Sequence, residues 1–275
     1  MTKNNLIKKI SYNPVLIKSI TLLHLRSILR KVYYFLNHPQ NGILEISLAG
    51  ISSKFLINNP DEFRLTESVT GENGEKKVLE KFISLIKKGD VVYDVGANTG
   101  VYSIFLAKSV GINGKIVAFE PEIESIKKLK ENIKLNDINN IFIVEKALGE
   151  KNEISKLYIG KTTGNFSLVN LYEKEEKYQQ VDIVNGDELI EKIKLPIPKA
   201  LKIDVEGYEY SVLFGLKNTL QNTNCKIICC EIHLGLFPEG ITDEKIIDLI
   251  KSFGFSKIEI FKRAFSAYHI IAQKD

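Results

Sequence analysis

The segment Asp94–Val95–Gly96–Ala97–Asn98–Thr99–Gly100 constrains this chain more than any other. It follows an apolar run, Val91 to Val95, and leads into Val101–Tyr102–Ser103–Ile104–Phe105–Leu106–Ala107. That order reads as a buried strand, a tight glycine turn and a helix start. Glycine lets the backbone approach a bound group closely, and the unsatisfied N–H groups of a helix N-terminus favour anions. The spacing limits which nucleotide fits. A dinucleotide fingerprint beginning at Gly96 requires glycines at 98 and 101, where this chain has Asn98 and Val101. What remains is an acidic residue at a strand end, with glycines four apart.

Lys115–Ile116–Val117–Ala118–Phe119 reads as the next strand, and it ends in Glu120–Pro121. An acidic side chain there can accept hydrogen bonds from both ribose hydroxyls of a nucleoside, each worth roughly 1.5–3 kcal/mol to a charged acceptor. Pro121 suits the first turn of the following helix, where its missing N–H costs nothing. An ordinary α/β turn with a solvated glutamate explains either feature alone, but poorly explains both at this spacing.

From position 76 the chain alternates between helical and strand patterns. Helices are expected at 76–86, 100–109, 122–135, 208–220 and 243–252. Strands are expected at 91–95, 115–119, 141–145, 200–204 and 226–231, with two closing strands at 257–262 and 267–272. Such alternation implies right-handed crossovers and a parallel sheet. Residues 151–184 interrupt it with polar segments and short strands, which marks an insertion or lid. Ile43–Ser47 and Lys54–Ile57 form a short hairpin pattern.

Charge is distributed unevenly. Residues 1–44 carry Lys3, Lys8, Lys9, Lys18, Arg26, Arg30 and Lys31 and no acid, so the net +4 of the chain leaves −3 for the rest. Sequence-unspecific nucleic-acid binding by the body is therefore disfavoured. Residues 6–36 have the spacing of basic amphipathic helices, suited to packing on the domain, to an anionic membrane surface through residues 1–40, or to another subunit. The division expected is a basic helical extension with its hairpin over 1–70 and a catalytic domain over 71–275. No apolar run reaches the ~20 residues that span a bilayer, and no signal-peptide core is evident, so a cytoplasmic protein, placed at the inner membrane face by its extension, is expected. Cys225, Cys229 and Cys230 fall in one apolar run. Adjacent strand residues face opposite ways, so Cys229 and Cys230 read as core packing and not as ligands of one ion.

A second constellation follows. Leu201–Lys202–Ile203–Asp204–Val205–Glu206–Gly207–Tyr208–Glu209 places two carboxylates, Asp204 and Glu206, just beyond a central strand, and Glu231–Ile232–His233 ends its neighbour. Ligands of open α/β sheets sit beyond the carboxyl ends of the strands, so both groups should face the crevice of the Gly96–Gly100 turn. Taken with Phe119–Glu120–Pro121 and Ala147–Leu148–Gly149, these strings resemble the FkbM family of S-adenosylmethionine-dependent methyltransferases, over about residues 75–272. The Lys202–Gly207 string is the specific part; the glycine loop is shared by class I methyltransferases. Gly164–Asn165–Phe166–Ser167–Leu168 resembles a family segment beside the pocket. The resemblance implies a doubly wound, mostly parallel seven-stranded Rossmann-like sheet behind an N-terminal helical extension. It implies S-adenosylmethionine as cofactor, bound by Asp94, Gly96, Ala97, Asn98, Thr99, Gly100, Glu120, Pro121 and Ala147. It also implies O-methylation of a hydroxyl on a glycan, glycolipid or small metabolite, with Asp204 and Glu206 near the reacting centre.

A hydroxyl is a weak nucleophile at neutral pH, so a general base helps by ~10²–10⁴-fold. His233 is the first candidate, since histidine titrates in the right range, followed by Asp204 and Glu206. Asp204, Glu206, Glu231 and His233 also offer donors that a divalent ion accepts, but their spacing fits no dedicated metal motif and no metal ligand is assigned. Gly160–Lys161–Thr162 is not a P-loop, because Ser155 stands where that motif needs glycine. A nicotinamide-dependent oxidoreductase and a non-catalytic binding module of the same fold are the rival classes; Asn98 argues against the first and the retained acidic set against the second.

Overall fold

The computed structural model describes residues 32–39, 41–71, 75–160, 166–168, 177–262 and 267–275. Of the basic helices expected over residues 6–36, residues 6–31 lie outside the described residues and residues 32–36 are helical; most of the membrane contact expected through residues 1–40 also falls outside them.

The centre is a seven-stranded sheet. Its strands are β3 (Val91–Val95), β4 (Lys115–Phe119), β5 (Ile141–Val144), β10 (Ala200–Ile203), β11 (Ile227–His233), β12 (Lys257–Lys262) and β13 (Ala267–Gln273), in the order β12-β13-β11-β10-β3-β4-β5. β5, β4, β3, β10 and β11 run parallel, while β13 is antiparallel to both of its neighbours. The parallel strands are covered on both faces, which is why β3, β10 and β11 are nearly continuous apolar runs. The two faces define two cores. Cys230 and Cys225 pack in one with Tyr93, Phe119 and Phe255, and Cys229 packs in the other with Phe82, Val92 and Phe105. The expected packing role of the cysteines is met, on opposite faces.

Helices α2 (Lys76–Leu85), α3 (Val101–Val110), α4 (Ile123–Leu135) and α8 (Asp243–Ser252) follow the expected periodicity within two residues. The helix expected over 208–220 is divided at Leu216 into α6 (Glu209–Gly215) and α7 (Lys217–Gln221). α1 (Pro60–Thr70) and α5 (Gly186–Lys192) were not expected; each starts at an asparagine cap, Asn59 or Asn185, whose side chain accepts from backbone N–H groups of the first turn.

α3 is buried on nearly all sides, because the hairpin β1 (Ile43–Leu48) and β2 (Ile51–Leu56) covers its outer face. Phe55 lies 5.8 Å from Phe105, ring centre to ring centre. The open edge of β2 is satisfied by side chains of α4 and of its C-cap, Asn136. Asn136 exchanges two hydrogen bonds with the Lys54 backbone at 2.9 and 2.7 Å, and Asn132 accepts from Leu56 N–H at 2.9 Å. The described strands of the interruption over 151–184 join a second, four-stranded sheet, β6 (Ala147–Gly149), β9 (Tyr178–Asn185), β7 (Glu153–Ile159) and β8 (Phe166–Ser167) in that order.

Candidate active site

Strand register places the site. Val95 pairs with Phe119 on one side and with Ile203 on the other, and Ile203 pairs with Cys230. The residues that follow, Gly96, Glu120, Asp204 and Glu231, therefore form one row along the carboxyl edge. β3 connects onward to β4 on one side while β10 flanks it on the other, the position at which open sheets bind ligands. A cavity opens there, bordered by the loop 95–99, by Glu120, Pro121 and Ala147, and by Asp204, Glu206, Glu231 and His233.

The loop is shaped by the protein's own packing. Gly96 has φ +78°, and a Cβ there would lie 1.9 Å from the Asp204 carbonyl oxygen. At Gly100, φ is +87° and a Cβ would meet Leu129 Cδ1 at 2.2 Å. The glycines are thus required by close approach to β10 and α4, an internal reason that spacing alone does not reveal. Asn98 takes the left-handed conformation at φ +51°, which asparagine tolerates better than most residues. Gly96 and Ala97 both donate to Phe119 O, strapping the loop to β4. Glu120 then accepts from Asn98 N–H at 2.7 Å through Oε2 and from Glu122 N–H at 2.9 Å through Oε1. Burial pushes its carboxyl up to about 7 despite those two bonds. Pro121 borders the cavity but is not in the first turn of α4, which starts at Ile123 after the cap Glu122.

Asp94 and Gly100 do not border the cavity. Asp94 is fully buried beneath the loop, accepts from Ser103 Oγ at 2.6 Å and lies 3.5 Å from Lys202 Nζ. Lys202 opens the string that carries the family resemblance but was given no role from the sequence, yet it joins the elements of the site. It donates to Gly96 O at 2.9 Å and lies 3.2 Å from Asp204 Oδ2. Burial would lower its pKa, but Asp204 and Asp94 outweigh burial and raise it. Asp204 is held down at about 2: burial opposes its charge, and Lys202 and His233 overcome that.

The far wall is crowded with ionisable groups. Nε2 of His233 lies 3.5 Å from Glu206 Oε2 and 3.8 Å from both Asp204 Oδ1 and Glu231 Oε1. Its Nδ1 bonds Glu209 Oε1 at 2.7 Å, and Glu209, also unassigned from the sequence, is fully buried. Although burial disfavours the imidazolium, the Glu209 hydrogen bond and the Asp204 charge push His233 up to about 10. Burial pushes Glu206 up to about 7, with the His233 charge opposing. Glu206 has φ +50°, a costly conformation for a residue with a Cβ. Behind this wall, His269 Nε2 lies 3.3 Å from Glu75 and 3.4 Å from the second oxygen of Glu231.

Residues 94–257 match the methyltransferase FkbM domain. Hexuronic acid methyltransferase AglP of Haloferax volcanii is 27% identical over 208 residues, covering 73% of this chain and 77% of that protein. The tRNA (guanine(37)-N(1))-methyltransferase Trm5b of Pyrococcus abyssi is 31% identical over 105 residues, 33% of this chain and 30% of its own length. A crystal structure of a SAM dependent methyltransferase from Aquifex aeolicus aligns with a TM-score of 0.46 and 16% identity, over 79% of this chain and 100% of that one. With the domain match spanning more than half of the chain, the protein belongs to the FkbM methyltransferase family and is an S-adenosylmethionine-dependent methyltransferase.

Proposed function

We propose that the protein methylates a hydroxyl of a sugar, free or carried on a glycan or lipid. The observation that carries this reading is the carboxylate–imidazole wall of Asp204, Glu206, Glu231 and His233 facing the loop 95–99 across one cavity. A hydroxyl must lose its proton to become a good nucleophile, and this wall supplies acceptors for it. The similarity to an enzyme named for hexuronic acid supports a sugar as acceptor.

The loop side fits the cofactor by the chemistry of its donors. Glu120 is 5% exposed, and each of its oxygens keeps a lone pair beyond its one backbone bond, enough for two adjacent ribose hydroxyls. Gly96, Ala97, Asn98, Thr99, Pro121 and Ala147 complete that side, while Asp94 and Gly100 act from behind it by holding the loop's shape. When bound, S-adenosylmethionine supplies an electrophilic methyl group on a sulfonium, whose departure leaves a neutral thioether.

The chain's own residues then position and deprotonate the acceptor. Such alignment contributes roughly 7–11 kcal/mol when reacting atoms are held in near-attack geometry. His233 has Nδ1 committed to Glu209 and Nε2 turned to carboxylates, so it orients the cluster. Glu206 is the most exposed of the wall's carboxylates, with its side chain 35% exposed, and takes the hydroxyl proton. His233→Ala is expected to lower turnover while leaving cofactor affinity nearly unchanged; lost cofactor binding with normal turnover at saturation would contradict the assignment.

The test uses methyl-labelled S-adenosylmethionine with hexuronic acids, neutral hexoses and a glycolipid extract. The product is then treated with mild alkali. Label that survives as an ether supports hydroxyl methylation, whereas label released as methanol reports a carboxyl ester and overturns it.

A further inference from the structure

His233 carries the orientation of a metal ligand. Histidines that bind metals donate their other ring N–H to a carboxylate, which fixes the ring and aims the second nitrogen outward, where an ion can take the place of its proton. Here Glu209, fully buried, bonds Nδ1 at 2.7 Å, and Nε2 is aimed at oxygens of three different carboxylates. Those contacts, at 3.5, 3.8 and 3.8 Å, lie beyond the ~2.7–3.2 Å of an N–H···O bond. The imidazole is 9% exposed, so this is a buried nitrogen directed into a gap between anions.

The surrounding carboxylates are divided in the same way. Asp204 gives Oδ2 to Lys202 and turns Oδ1 to His233; Glu231 gives Oε2 to His269 and turns Oε1 to His233. One donor atom each from Asp204, Glu206 and His233 falls within 4.8 Å of the others. Donors ~2.1 Å from a shared ion sit about 3 Å apart, so small side-chain shifts close the set.

Resting on the reading that the acceptor lies at this wall, we propose that Asp204, Glu206 and His233 bind a divalent cation that fixes the acceptor oxygen. A set of carboxylate oxygens with one imidazole suits Mn²⁺ or Mg²⁺. Glu206 holds the ion through Oε2 and receives the hydroxyl proton on Oε1, so its role as base is kept. Glu209 is then a positioning residue, acting through His233.

The experiment titrates the chelator-stripped full chain with Mn²⁺, following free Mn²⁺ by electron paramagnetic resonance, and measures S-adenosylmethionine binding in the same sample. One bound equivalent is expected. Glu206→Gln should weaken it roughly 10–100-fold with the melting temperature and cofactor affinity retained, and Glu209→Gln should weaken it by a similar factor with cofactor affinity retained. Glu206 stands at the open lip of the cavity, so its variant guards against loss of fold. Cofactor binding without Mn²⁺ binding at millimolar metal overturns the cation site alone. Undiminished Mn²⁺ binding by Glu206→Gln places the metal elsewhere and overturns it too. Failure of the cofactor itself to bind would instead fall on the reading of the loop side.

Discussion

The two sides of the cavity are built from different materials. The loop side, after β3 and β4, is mostly backbone: positive-φ glycines, peptide N–H groups and one buried carboxylate, Glu120. The side beyond β10 and β11 is mostly charge, with Asp204, Glu206, Glu209 and Glu231 around one imidazole. A backbone cradle fixes a ligand that does not change, whereas crowded ionisable groups suit a site where protons or cations move.

Lys202 is where the comparison is most easily broken, because it serves both sides. Its ammonium holds the Gly96 carbonyl and Asp94 on one and Asp204 on the other, from a side chain 5% exposed. Lys202→Met would leave two buried carboxylates without their cation, and removing one partner of a buried pair costs about 3–5 kcal/mol. Urea denaturation should show that loss, with cofactor binding and turnover falling together. A variant within 1 kcal/mol of the parent would mean that the two sides are not joined here.

Gly96→Ala tests the loop side alone. The substitution combines a left-handed backbone, roughly 1–2 kcal/mol, with overpacking against the Asp204 carbonyl, roughly 1–3 kcal/mol. Stability should fall by about 2–5 kcal/mol, and cofactor affinity should fall with it. Full stability with intact cofactor binding would show that the loop can move away from β10.

The materials also explain what could be read from the sequence. The loop side was legible because glycine spacing and a glutamate at a strand end are local signals. The sheet was legible because buried parallel strands are apolar runs. Lys202, Glu209 and the Glu75–His269 pair were not, since their meaning depends on strand order: Glu209 meets His233 across 24 positions, and Lys202 meets Gly96 across 106. α1 was missed although Asn59–Pro60 is a readable helix start, because Pro60–Thr70 is largely polar and shows a weak apolar stripe. Pro121 was placed in the first turn, but Glu122 takes the cap and Pro121 stands just before it.

Glu120→Gln sharpens the loop side's one charged contact. The amide keeps a single acceptor oxygen, so one charged hydrogen bond, about 1.5–3 kcal/mol, is lost from the ribose. Calorimetry should show S-adenosylmethionine binding weakened by roughly 10–100-fold, with turnover at saturation little changed. A matching fall in saturated turnover would place Glu120 in the chemistry instead.

The smallest expected effect is the pH dependence of that same contact. Burial holds Glu120 protonated up to about 7 in the free protein, whereas the hydroxyls of a ribose need the ionised acceptor. Affinity should therefore rise with pH through about 7 and then level, differing by about tenfold between pH 6 and pH 8. The sign for stability is opposite. The native state holds this proton more tightly than the unfolded chain, so the free protein loses stability as pH rises from 4.5 to about 7, and bound cofactor offsets that loss. In Glu120→Gln both trends should flatten. An affinity that is flat in the parent across this window, or equally sloped in the variant, would move the titrating group from the loop side to the charged wall.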